Sequence, residues 1–231
     1  GGEFRPHPGV GLCDRVVDSA GNRTVDVRDG EGKIVQSIGA RYRADYSLLF
    51  SDIANESIFS EPNEHGVIPA LSIYQQAIKT DLFFLAFFIM ENPLVNTPFG
   101  VAACRLIETG ANNGTLDIWA RGHLKSWLLS QAETIQEIVK NPELCHVIFS
   151  YKKSKAEDIV ASVKRTLEKP IMVQCFPDIL YENPDESPSW SIQGGLMVKR
   201  QAVSRKEKTL ESYGILEGMP TGGHWDRLID D

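Results

Sequence analysis

The chain has no apolar run long enough to cross a bilayer as a helix. Its most apolar stretch, "DLFFLAFFIM" at 81–90, sets nine hydrophobic residues between Asp81 and Glu91, where a spanning helix needs about 20. Cysteine is scarce and scattered. Cys13, Cys104, Cys145 and Cys175 form no CxxC pair, which excludes a local zinc–thiolate motif and argues against a disulfide scaffold. Three of them sit inside apolar runs, as small buried hydrophobes do, and this usage points to a reducing, cytoplasmic setting. The five histidines never recur at i+2, i+3 or i+4, so no metal site is expected. Positive charge is in deficit: 24 Lys and Arg face 31 Asp and Glu, a net charge of −7. That balance works against a general affinity for nucleic acid or an anionic membrane. The loop "DGEG" at 29–32 lacks the Walker lysine and the GxGxxG spacing, so no nucleotide or other cofactor is expected from it. No apolar leader opens the chain, and Gly1 to Phe4 read as a cloning scar.

What is present is an ordinary globular composition, 42% hydrophobic and 24% charged. Residues 1–22, rich in Gly and Pro, read as a flexible N-terminal arm. Asp29-Gly30 between the β-type runs Thr24–Arg28 and Lys33–Ile38 predicts an N-terminal β-hairpin. A helix is expected over 69–79. The 81–90 run, rich in Phe and without alternation, predicts a central strand covered on both faces. "FGVAACRLIETG" and "TLDIWA" follow after short turns, which predicts an antiparallel meander. Leu124, Trp127, Leu128, Ile135, Ile138 and Val139 line one face of a helix. "LCHVIFSY" reads as a strand. Ser154 and Glu157 form a capping box for a helix with Ile159, Val160, Val163 and Leu167 inward. "IMVQCF" and "SWSIQGGLMVKRQ" read as two further strands. The expected fold is α+β or α/β. It has a mixed, mostly antiparallel central sheet of about five to seven strands covered by helices. One globular unit spans 23–203, and 204–231 is a C-terminal tail, docked or mobile.

Three functional readings follow. The first is a cytoplasmic binding or assembly module that self-associates or takes a protein partner through the acidic, Pro-rich loop at 177–189 and the Tyr213–Trp225 segment. The second is an enzyme with an acid/base site near the end of the 115–120 strand, where Asp117, Arg121 and His123 bring carboxylate, guanidinium and imidazole together. The third is a nucleic-acid or phosphate binder. It would use Lys152, Lys153 and Lys155 ahead of a helix N-terminus, with Lys199, Arg200 and Arg205.

Overall fold

The computed structural model describes Tyr46, residues 69–109, 119–120, 122–201, 204–216, 220 and 222–231, and four two-residue strand fragments before residue 36. The hairpin turn expected at 29–32 lies outside these residues, as does most of the third meander strand at 115–120.

Helix α1, Pro69–Thr80, buries Ala77 and Ile78. The next segment departs from the sequence expectation. Residues 81–90 form a helix, not a strand: α2 is Leu82–Phe84, and it continues as a π-helical stretch, Leu85–Ile89. Asp81 decides this. Its backbone is extended, and its carboxylate accepts the Phe84 N–H at 2.9 Å as an N-cap. The β-preference of phenylalanine yields to that cap and to packing. Phe83 lies against Phe87 at 5.5 Å, Phe84 against Phe88 at 5.2 Å, and Tyr46 packs on Phe83, Phe84 and Phe88. A helix that is apolar on every side must be buried on every side, and Leu82, Phe83, Phe84, Leu85 and Ala86 all are. The cover expected around this run is present; only the element is different.

Two other expected strands are helices. "GVAACRLIET" lies in α3, Pro98–Thr109, and "IMVQC" in α6, Pro170–Cys175. Each begins with a proline, whose fixed φ suits a first helical turn and whose missing N–H costs nothing there. The helix expected from 124 begins as a π-helical stretch, Ser126–Glu133, and becomes α4, Thr134–Lys140. The helix opened by the lysines is α5, Lys153–Leu167.

The sheet has five strands: β1, His146–Ser150; β2, Trp190–Ser191; β3, Gly195–Leu196; β4, Leu210–Gly214; and β5, Arg227–Asp230. Their order is β2-β3-β4-β1-β5. β1 pairs in parallel with both β4 and β5, while β2–β3 and β3–β4 are antiparallel. The architecture is therefore α+β with a mixed sheet. It is not mostly antiparallel, because the first two strands of the expected meander are helices. Segment 204–231 supplies β4 and β5, the two strands that flank β1.

Register assigns the two faces of the sheet. Leu210, Ser212, His146, Ile148, Arg227 and Ile229 share one side, and period-2 alternation puts Glu211, Tyr213, Val147, Phe149, Leu228 and Asp230 on the other. Ile148, Leu210 and Ile229 belong to the apolar cluster built with α1–α6. On the opposite face Phe149, Tyr213 and Trp225 pack on one another at 5.7–6.1 Å, and Leu228 is 66% exposed. No described helix is long and apolar enough to cross a membrane.

Candidate functional site

In open sheets with parallel strands, ligands settle at the carboxyl ends of those strands, where helix N-termini also point. Here that edge is formed by Ser150 of β1, Gly214 of β4 and Asp230 and Asp231 of β5. Two helices start beside it.

One start is the turn "GHLKS", Gly122 to Ser126. Gly122 has φ +84° and Leu124 φ +61°. Leu124 thus holds a left-handed backbone that favours glycine, immediately before Lys125. A side chain held there marks a loop whose shape is imposed by its surroundings. The helical ladder opens when Leu128 N–H donates to Leu124 C=O at 2.9 Å. The amides of Lys125, Ser126 and Trp127 lie ahead of it in the first turn, where N–H groups have no helical carbonyl to meet.

Across from this turn stands Asp231. Its N–H donates to Phe149 C=O at 2.9 Å, extending the β1–β5 ladder. Its Oδ1 accepts from Ser130 Oγ at 2.9 Å and lies 3.8 Å from Lys125 Nζ. Its Oδ2 has no protein donor among the described residues. A lysine at a helix start, a serine one turn into that helix and an aspartate at the end of a neighbouring parallel strand thus converge on one edge. A cleft of about 480 Å³ runs from Lys125 and Asp231 along the seam between helix and β5 to Glu137 and Arg227.

The far end of that seam is closed by an ion cluster. His146, fully buried, sets Nδ1 3.1 Å from Thr209 C=O and Nε2 3.2 Å from Glu137 Oε2. Glu137 Oε1 accepts from Arg227 Nε at 2.8 Å and also from its Nη2. Burial pushes the Glu137 carboxyl up, but the hydrogen bonds from His146 and Arg227 outweigh it and hold the group below the usual carboxylate range.

The sequence-derived candidates distribute unevenly. Asp117 and Arg121 lie outside the described residues. His123 is exposed in the Gly122–Ser126 turn, with Nδ1 3.1 Å from Ala120 C=O and its ring edge-on to Phe99 at 5.0 Å. Lys152, Lys153 and Lys155 start α5 at the carboxyl edge, the edge that Lys125 also occupies; Lys153 and Lys155 pair with Glu157 at 3.7 Å and Asp158 at 3.2 Å. The second basic group lies at the opposite end of β1. Arg200 donates to Cys145 Sγ and to the carbonyls of Arg205 and Glu207. Arg205 pairs with Asp226 at 2.8 Å. Lys199 donates to Pro177 C=O and lies over the Tyr181 ring. Cys145 and His146 serve separate networks, and burial pushes the Cys145 thiol up despite Arg205 and Arg200 nearby.

Sequence reasoning carried none of Gly122, Lys125, Ser126 and Asp231 forward as a site residue. The signal was there. A G-x-x-K-S turn opens an amphipathic helix, and "RLIDD" ends an apolar run in two carboxylates. Neither carries meaning until the sheet places them together.

No family model, curated protein or solved structure matches the chain.

Proposed function

We propose that the protein binds the phosphate chain of a nucleoside triphosphate, with a divalent cation, at the Gly122–Ser126 turn. The observation that supports this is Lys125 at a helix N-terminus, 3.8 Å from Asp231 at the carboxyl end of a parallel strand. First-turn amides and the helix dipole favour an anion there. Lys125 supplies the cationic contact that a phosphate-binding loop draws from its lysine. Asp231 offers carboxylate oxygens, the hard donors that magnesium takes while retaining several waters. Lys152 stands on the same edge, while Lys153 and Lys155 there are paired with Glu157 and Asp158. The turn departs from the Walker spacing, because Leu124 stands directly before the lysine where that motif has glycine. Its left-handed backbone supplies the conformation glycine would give.

The test is calorimetric titration with magnesium–ATP against inorganic phosphate and AMP. The triphosphate should bind and AMP should not, and Lys125→Ala should weaken the triphosphate by about 10- to 100-fold, as for a lost charge-assisted contact. Equal affinity of wild type and Lys125→Ala would remove the reading.

A second reading is favoured by the helix-free sheet face. Leu228 stands 66% exposed beside the Phe149–Tyr213–Trp225 group, and such a face is what a protein partner covers. The partner proposed is a second copy of this chain. Sedimentation should show a dimer that Leu228→Asp dissociates; a monomer at every concentration sinks it.

A further inference from the structure

β5 is an outermost strand of the sheet, with β1 on one side of it and no described strand on the other. Arg227 and Asp231 turn their N–H groups inward, onto Cys145 C=O at 3.2 Å and Phe149 C=O at 2.9 Å. In a parallel ladder such residues alternate with residues that face the other way. Leu228 and Asp230 therefore aim N–H and C=O outward, and among the described residues no backbone group pairs with them. Both residues are exposed. The opposite edge of the sheet offers less: β2 has two residues, Trp190–Ser191, and turns straight back into β3. Sheets commonly blunt an open edge with lysine or proline, and "RLID" contains neither.

This edge is one wall of the cleft that runs from Lys125 to Arg227, and the helix carrying Leu129, Glu133 and Glu137 is the other. Unmet main-chain groups beside a cleft are what an extended peptide occupies by strand addition. Its main chain supplies affinity and its alternate side chains supply specificity. The charge of the walls selects the side chains. Glu133, Glu137, Asp230 and Asp231 line the cleft against Lys125 and Arg227, so the lining is net negative. Leu129 and Leu228 add apolar surface to it.

We propose that an extended, basic segment of a partner protein docks along β5 as an added strand. Its main chain pairs with Leu228 and Asp230, and its Lys or Arg side chains meet the carboxylates. Side chains of one parity lie beside Leu228 and Asp230 on the helix-free face, and those of the other enter the cleft toward Glu133. The second copy considered for the helix-free face suits this edge less well. Its own β5 would bring Asp230 and Asp231 against walls that are already negative, and like charges across a strand pair are destabilising. The proposal uses the strand edge and not the Gly122–Ser126 turn, so it stands or falls apart from the phosphate reading.

The probes are short, end-blocked peptides: one of alternating lysine and valine, one of the same sequence methylated at every peptide nitrogen, and one with glutamate in place of lysine. Each is titrated by fluorescence anisotropy, while NMR follows hydrogen exchange at the Leu228 and Asp230 amides. The lysine peptide should bind, less tightly as salt rises, and should slow exchange at both amides. The methylated and glutamate peptides should not bind. Asp230→Lys should weaken the lysine peptide by about tenfold, as for an attraction replaced by a like-charge contact. Equal affinity for the methylated peptide would mean that no strand is added and would overturn the proposal. So would equal affinity for the glutamate peptide, or no binding of the lysine peptide at low ionic strength. Leu228 and Asp230 amides that are protected in the protein alone and released on dilution would put a second copy on the edge and overturn it as well.

Discussion

At the scale of single residues, backbone conformation around the candidate site is the most informative feature. Leu124 occupies a left-handed conformation at φ +61°, and its side chain packs against the apolar cluster. In an ordinary helix Ala exceeds Gly by about 1 kcal/mol. Here the order should invert: both substitutions remove the same packing, and only Ala keeps the strain. Leu124→Gly should thus be more stable than Leu124→Ala by about 1 kcal/mol, as read from denaturant midpoints. Gly122 makes the complementary case. A Cβ there would meet nothing within 4 Å, so Gly122→Ala should cost about 1 kcal/mol from conformation alone. The thiols give a third residue-level test. Cys104 and Cys175 are buried, and burial pushes each up to about 12. In a Cys13→Ser background the native protein should not react with a thiol reagent at neutral pH, and should expose three reactive thiols once unfolded. A fast-reacting native thiol would contradict the burial.

At the scale of elements, what decided helix against strand was capping more than composition. Asp81 is 1% exposed and holds three tasks: it caps α2, accepts Tyr46 Oη at 2.7 Å and pairs with Arg105 at 2.9 Å. Arg105 also reaches Glu108 at 3.0 Å, and burial followed by the Asp81 charge raises the Tyr46 hydroxyl well above its ordinary value. Removing one member of a buried charge pair leaves the other uncompensated, so Asp81→Ala should destabilise by about 3–5 kcal/mol. A loss under about 1 kcal/mol would show that the cap and ion pair do not hold this helix. The sequence carries Asp81 plainly, but an aspartate before an apolar run reads equally as a strand flank. Its capping geometry depends on Arg105 and Tyr46, which are 24 and 35 positions away. α1, α5 and β1 were legible because their apolar spacing or their caps are local. The proline-led α3 and α6 were misread because their apolar residues are too continuous for period to separate 3.6 from 2. Gly100 in α3 is a further check on that assignment. A Cβ there would lie 2.2 Å from Val95 C=O, so Gly100→Ala should cost about 1–3 kcal/mol.

At the scale of the whole molecule, the candidate site is a product of topology. The Gly122–Ser126 turn and Asp231 are more than a hundred positions apart in sequence. They meet because β5 runs parallel to β1 and ends level with it, Phe149 opposite Asp230. That pairing also gathers Lys152–Lys155 onto the same edge and leaves Arg200 and Arg205 at the other, tied to Cys145 and Asp226. The sequence suggested one anion surface from both basic segments; the sheet separates them. No periodicity could reveal this, because parallel pairing over long connections leaves no local trace. The cleft at this edge carries carboxylates as well as cations: Glu133, Glu137, Asp230 and Asp231 line it with Lys125 and Arg227, so any anion bound there relies on Lys125 and the first-turn amides rather than on a net positive field.

The most direct measurement is calorimetric titration of the protein with magnesium–ATP beside the Lys125→Ala variant. The account predicts saturable binding to wild type, weakened by about 10- to 100-fold in the variant, with the two proteins unfolding at the same temperature. Binding that survives Lys125→Ala unchanged, or no binding to the wild type, would contradict it.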